Sequence, residues 1–179
     1  MTDDAALLAA LAAVQARGAI GESSLTAAVA HADGFARALP SAARLVADLG
    51  SGGGLPGLVI AVRRPELELV LVERRHTRAD LLRRAVAALG VGDRVTVFGD
   101  DVRELARTRP AAFDAVTARS FGAPAVTARW AAALLSIGGV LVVSEPPTDD
   151  PTRWPASLLT RHGLVDRGRD QGVRVLERR

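Results

Sequence analysis

Cysteine is absent from the chain, which excludes disulfides, cysteine-bound zinc and thiol nucleophiles and makes a reducing compartment the natural setting. Lysine and tyrosine are absent as well, so all 23 basic residues are arginine and little titrates between neutrality and the arginine pKa. A net charge of +3 is then enough to push the isoelectric point to about 11.0, and that value says little about acidic partners. Aromatic residues make up only 3% of the sequence, too few for an interleaved base-stacking surface. No apolar run reaches the roughly 18 residues of a membrane span, and Asp3 and Asp4 stand where a secretory signal would carry positive charge. The expectation is a soluble, cytoplasmic, monomeric protein without a metal. Its 179 residues form one domain, a length that buries roughly 70% of the surface of the unfolded chain.

The remaining residues alternate in a regular way. Residues 4–17 and 24–39 are rich in alanine and leucine and read as two helices, broken by Gly18 and Gly21 and restarted by a cap at Ser23 or Ser24. From position 44 onward, β-branched and leucine runs at 44–49, 67–73, 94–99, 113–118 and 139–145 alternate with helix-length segments. Gly90 and Gly138 stand just past helix ends. Residues 151–163 suit one more helix, and the tail suits two strands turning around Asp170 and Gly172. The predicted fold is α/β: a doubly wound, mostly parallel seven-stranded sheet of Rossmann type over residues 41–179, capped by N-terminal helices over 1–40.

The chemistry concentrates where the first strand ends, at "DLGSGGGLPG". Ligands of open α/β sheets bind beyond the carboxyl ends of the strands, where the strand order reverses. Gly50, Gly52 and Gly54 follow the strand at every second position and let the backbone approach a ligand. Gly52, Gly54 and Gly57 also satisfy the loose G-x-G-x-x-G of dinucleotide sites, but Asp48 beside the loop would repel a pyrophosphate. A donor with an ammonium and a sulfonium and no phosphate suits that acid, and S-adenosyl-L-methionine is such a donor. Glu73 ends the second strand, where a carboxylate accepts from ribose hydroxyls, and Asp100 and Asp101 follow the third, where adenine is met. Asp100 and Asp101 serve equally well as helix caps. Arg74, Arg75 and Arg78 offer a phosphate-binding face for RNA, although such arginines also occupy ordinary solvated and i,i+4 paired positions. His31, His76 and His162 have no metal-ligand spacing and read as packing or surface residues.

"DLGSGGGLPGLVIA", "LVERRHTRADLL" and "FDAVTARSFG" together resemble the 16S rRNA guanine-N7 methyltransferase G family, also called glucose-inhibited division protein B. The resemblance implies a class I methyltransferase fold that uses S-adenosyl-L-methionine to methylate guanine N7 in ribosomal RNA of the small subunit. It further implies Gly50 and Leu55 against the cofactor, backbone near Val102 and Arg103 at the adenine, and Arg119 beside cofactor and acceptor. Four departures concern the acceptor. The aromatic N-terminal segment of the family has only "SSLTAAVAHADGFARAL" as a counterpart. Thr77 and Arg78 replace a lysine-arginine pair, Arg103 stands where an acid is common, and "SEPP" (Ser144–Pro147) stands where a lysine is usual. A small-molecule acceptor and a non-catalytic cofactor-binding module therefore stay open, with a NAD-dependent oxidoreductase further off. Guanine N7 carries no proton, so no catalytic residue is named.

Overall fold

The protein is described here from a computed structural model covering residues 2–21, 24–148 and 150–179. Its sheet is built from β1 (Leu45–Leu49), β2 (Glu68–Val72), β3 (Val95–Phe98), β4 (Phe113–Ala118), β5 (Leu135–Ser144), β6 (Leu164–Asp170) and β7 (Val173–Arg178). The order is β3-β2-β1-β4-β5-β7-β6, parallel throughout except for β7, which runs antiparallel to both β5 and β6. The order reverses between β1 and β4, so the glycine loop after β1 sits at the switch point, as its position after the first strand predicts.

Strand residues alternate between two cores. Val46, Leu69, Leu71, Ala115 and Val142 point into one face with α1 (Thr2–Gln15), α2 (Leu25–Ala38), α3 (Gly57–Arg63) and α4 (His76–Ala88). Ala47, Leu49, Val70, Val116 and Leu141 point into the other with α5 (Val102–Thr108), α6 (Pro124–Leu134) and α7 (Ala156–Arg161). The two N-terminal helices are thus part of one helical layer: Leu7, Leu11, Val14 and Phe35 are buried with α3 residues. Complete burial of each such side chain contributes roughly 1.5–3 kcal/mol.

Local signals fix most ends. Ser24 caps α2 by accepting from the Ala27 N–H at 3.4 Å, while Ser23, the alternative cap, lies outside the described residues. Asp101 caps α5, and Gly90 follows α4 at φ 65°. Two boundaries depart from the sequence reading: α7 begins only at Ala156, after its cap Pro155, rather than at 151, and β5 begins early. Gly138 does not end a helix; α6 stops at Leu134, and β5 starts at Leu135, four residues before the expected strand. Leu135 is fully buried and pairs with Phe113, which draws the chain into the sheet at once, and Gly138 takes φ 82° where the β4–β5 register shifts.

Candidate functional site

The glycine loop is held from beneath. Asp48 is fully buried: Oδ1 accepts from the Thr117 hydroxyl and Oδ2 from the Ser51 hydroxyl, both at 2.7 Å. The Gly57 backbone adds a third hydrogen bond. Burial pushes the Asp48 carboxyl up to about 6 against these hydrogen bonds and the nearby positive charge of Arg119. Asp48 thus has no exposed surface in the cleft; it joins β1, the loop and β4 through its hydroxyl and backbone donors.

Glu73 holds the loop from the side. Its Oε2 accepts from the Gly52 N–H at 3.1 Å and its Oε1 from the Arg75 N–H at 2.8 Å. The Gly54 N–H donates to the Ser51 carbonyl at 2.7 Å, and the Ser51 N–H to the Val72 carbonyl at 3.0 Å. The Ser51, Gly52 and Gly54 N–H groups are thus engaged within the protein, and a carboxylate stands among them, an arrangement that disfavours a phosphate at these three groups.

Gly50, Gly52 and Gly54 adopt φ of 66°, 55° and 96°, the left-handed region that glycine alone enters freely. Close packing explains two others. A Cβ on Gly57 would stand 2.4 Å from Leu71 Cδ2 and 2.7 Å from Asp48 Oδ2, and one on Gly53 would stand 2.2 Å from Ile20 Cγ1. Ala19 and Ile20, past the end of α1, therefore rest on the loop itself.

Above the loop lies a cleft of about 520 Å³. Gly50, Val72, Glu73, Asp100, Asp101, Val102 and Arg103 line it, and so do Arg74, Arg75 and Arg78. Expected cofactor residues and expected RNA residues thus share one cleft. Asp101 accepts from the Arg103 backbone N–H at 3.0 Å and its Nε at 2.9 Å, which holds the carboxyl below its usual range, with Arg74 4.0 Å away. Its capping and cleft-lining roles coincide. Asp100 accepts from the Asp101 N–H at 2.6 Å.

Five expected site residues lie outside the cleft lining, the first of them Gly52, whose N–H is held by Glu73. Leu55 is buried in the core beside α3, because its side chain turns inward with Leu58. Asp48 and Gly54 lie beneath the cleft, and Gly54 packs against Leu58. Arg119 lines an adjoining cavity of about 360 Å³ with His31, Thr127, Ser144, Glu145, Pro146 and Arg153. Ser120 and Phe121 line both spaces and form the wall between them. Ser120 holds φ 55°, and Phe121 packs on Gly50, where a Cβ would stand 3.0 Å from its ring. Burial pushes the Arg119 guanidinium below its ordinary pKa, with Asp48 opposing, and His31 is likewise lowered by burial and then by Arg119.

Several lining residues escaped the sequence reading. Phe121, Val126 and Trp130 give the cleft an apolar wall, Val126 being 46% exposed. The i,i+4 spacing of Val126 and Trp130 at the start of a helix that follows a strand end was the available signal. Among the described residues no group of three or more His, Cys, Asp or Glu is placed to hold a metal, and no helix is long and apolar enough to cross a membrane.

Comparison with known proteins gives a consistent picture. The family model described as rRNA small subunit methyltransferase G matches residues 20–145. A ribosomal RNA small subunit methyltransferase G from Acidothermus cellulolyticus is 36% identical over 148 residues, 83% of this chain and 62% of the relative. Another from Rhizorhabdus wittichii is 47% identical over 74 residues, 41% of this chain and 33% of the relative. The chain thus spans less than two thirds of the length of either. Among solved structures, cofactor-bound Rv0187 from MTB matches with a TM-score of 0.66 at 23% identity, covering 96% of this chain and 88% of that one. The mitomycin 7-O-methyltransferase MmcR gives 0.66 at 18%, covering 86% and 55%. These two likenesses establish the fold.

Proposed function

The chain belongs to the rRNA small subunit methyltransferase G family, and from that premise we propose that it transfers a methyl group from S-adenosyl-L-methionine to N7 of a guanine in 16S ribosomal RNA. The observation that carries the reading is the cleft: three carboxylates, Glu73, Asp100 and Asp101, stand at the ends of β2 and β3 above a glycine loop in which the Ser51, Gly52 and Gly54 N–H groups are engaged within the protein.

The residues fit this donor. Glu73, at the end of β2, suits acceptance from ribose hydroxyls, the backbone around Val102 and Arg103 suits the adenine, and Gly50 brings the backbone itself to the cleft surface. When bound, the donor supplies a sulfonium methyl: the N7 lone pair forms the new carbon–nitrogen bond as the carbon–sulfur bond breaks, and the positive charge passes to the base. No proton leaves N7, so the protein's contribution is position and exclusion of water. Arg74, Arg75 and Arg78 line the cleft mouth, where guanidinium groups suit an RNA backbone. A cytoplasmic monomer acting on the ribosomal subunit or its RNA is the setting this reading implies.

Two measurements test it. Calorimetric titration with S-adenosylhomocysteine gives saturable binding in the wild type and at least about tenfold weaker binding in Glu73→Ala, which loses a carboxylate hydrogen-bonded to ligand and loop. Mass-spectrometric mapping of 16S RNA from cells lacking the protein finds one guanine without its N7 methyl group. Cofactor binding with an unchanged RNA map, and turnover on a metabolite, points to a small-molecule acceptor; binding without any turnover points to a non-catalytic module.

A further inference from the structure

Most arginines of the chain are occupied: Arg63, Arg83, Arg107 and Arg167 are ion-paired with carboxylates, for example, and Arg94 donates to the Ala61 carbonyl. Arg17, Arg75, Arg78 and Arg84 differ, since among the described residues no carboxylate, carbonyl or aromatic ring partners any of these side chains. Arg75 and Arg78 line the mouth of the cleft. Arg84 and Arg17, the latter just past α1, line a separate groove of about 350 Å³ between α1 and α4. The two spaces are neighbours. Arg78 stands one helical turn before Leu81, which lines the groove, and Arg17 is soon followed by Ala19 and Ile20, which rest on Gly53 of the glycine loop. Alanines of both helices, Val14 and Leu81 make the floor of the groove, and none of its lining residues is acidic. The one acid on α4, Asp80, is held by Arg83 at 2.7 Å.

We propose that the groove between α1 and α4 is a second RNA surface: a single strand of the RNA leaves the cleft past Arg75 and Arg78 and continues along the groove, with Arg17 and Arg84 on its phosphates. Like charges gathered on one face repel one another and gain from a shared counter-charge. A strand that carries one negative charge per nucleotide can meet these guanidinium groups in succession, and the planar fork of each suits a phosphate. The alanine floor raises no long side chain into the path of the strand, so ribose and base can lie close to both helices. An acidic helix would match the rim as well. Only a strand of the acceptor RNA also accounts for arginines that run on from the cleft mouth, where that RNA has to enter.

The inference rests on the RNA methyltransferase reading, and strand length lets the two fail separately. The probes are fluorescein-labelled oligouridylates of about 4 and about 12 nucleotides, the shorter long enough for the cleft mouth alone. By fluorescence anisotropy the wild type binds the longer at least about tenfold more tightly. In the double variant Arg17→Ala, Arg84→Ala that advantage is lost, and the log–log salt slope of the longer oligomer falls by about 0.7 for each phosphate released. The shorter oligomer and S-adenosylhomocysteine bind the variant within about twofold of wild type, because neither reaches the groove. Ala13→Glu sets a carboxylate on the exposed floor and weakens the longer oligomer in the same selective way, which keeps the test open if the double variant fails to fold. Equal wild-type affinity for the two lengths, or a double variant that binds the longer as the wild type does, overturns the RNA groove and leaves an acidic helix as the occupant its charge still fits. Failure of both oligomers to bind overturns the RNA reading and the groove with it, whereas failure of S-adenosylhomocysteine alone overturns the cofactor reading instead.

Discussion

At the residue scale, Asp48 has two consequences that can be measured apart. Its folded pKa of about 6 lies above the ordinary aspartate value of 3.8, so the folded state holds the proton more tightly, and stability falls as pH rises from about 4 to about 6. The loss amounts to roughly 3 kcal/mol at most. Carboxyls held low by arginine, such as Asp101 and Glu177, act in the opposite sense, gaining stability as pH rises and losing it only in acid. The difference in urea midpoint between wild type and Asp48→Asn isolates the Asp48 contribution; it should change between pH 4 and 6.5 and be flat above. Gly57 is the second case. An alanine there meets Leu71 and Asp48 together, so Gly57→Ala should destabilise by about 1–3 kcal/mol and weaken S-adenosylhomocysteine binding, both readable in one thermal-shift series with and without ligand. The sequence disclosed that Asp48 matters to the loop. It did not disclose how, because the hydroxyl that fixes Oδ1 belongs to Thr117, 69 residues away and adjacent only once β1 and β4 pair.

At the scale of elements, α1 is the informative case. Leu7, Leu11 and Val14 recur at helical spacing and are buried at 1%, 0% and 3%, so the helix belongs to the same core as α2, α3 and α4. Leu11→Ala should therefore cost about 2–5 kcal/mol of global stability, seen as a single cooperative shift in denaturant unfolding. A separate early transition would instead mean that the N-terminal helices unfold on their own. The alternation of strands and helices was legible because each period is local, and the hairpin of β6 and β7 was legible from the turn at Asp170 and Gly172. The start of β5 was not, since "SIGG" carries no alternation and is extended only because Leu135 finds Phe113.

At the scale of the whole molecule, sheet order gathers the working residues. Loops after β1, β2, β3 and β4 meet at one edge, and this brings Glu73, Asp101, Phe121 and Arg78 to a single cleft from positions scattered over 49 residues. Sequence spacing marked the acids and arginines one by one, but not that they share a cleft, nor that Arg119 belongs to the neighbouring cavity. The arginines give a prediction at this scale. Replacing Arg74, Arg75 and Arg78 by alanine should flatten the dependence of RNA affinity on salt by about 0.7 in log–log slope for each phosphate no longer neutralised. Their contribution is electrostatic, so S-adenosylhomocysteine affinity should stay within about twofold of wild type.

The wall made by Ser120 and Phe121 separates two sites and belongs to both. A ligand that fixes Phe121 from one side prepares the surface met from the other, so ligands of the two spaces enter a reciprocal relation: whatever factor the first adds to the affinity of the second, the second adds to the first. Such a molecule has a built-in order of preference without a moving lid. It should hold a ligand of either space longest while the other is filled, and release each more readily once the other has gone.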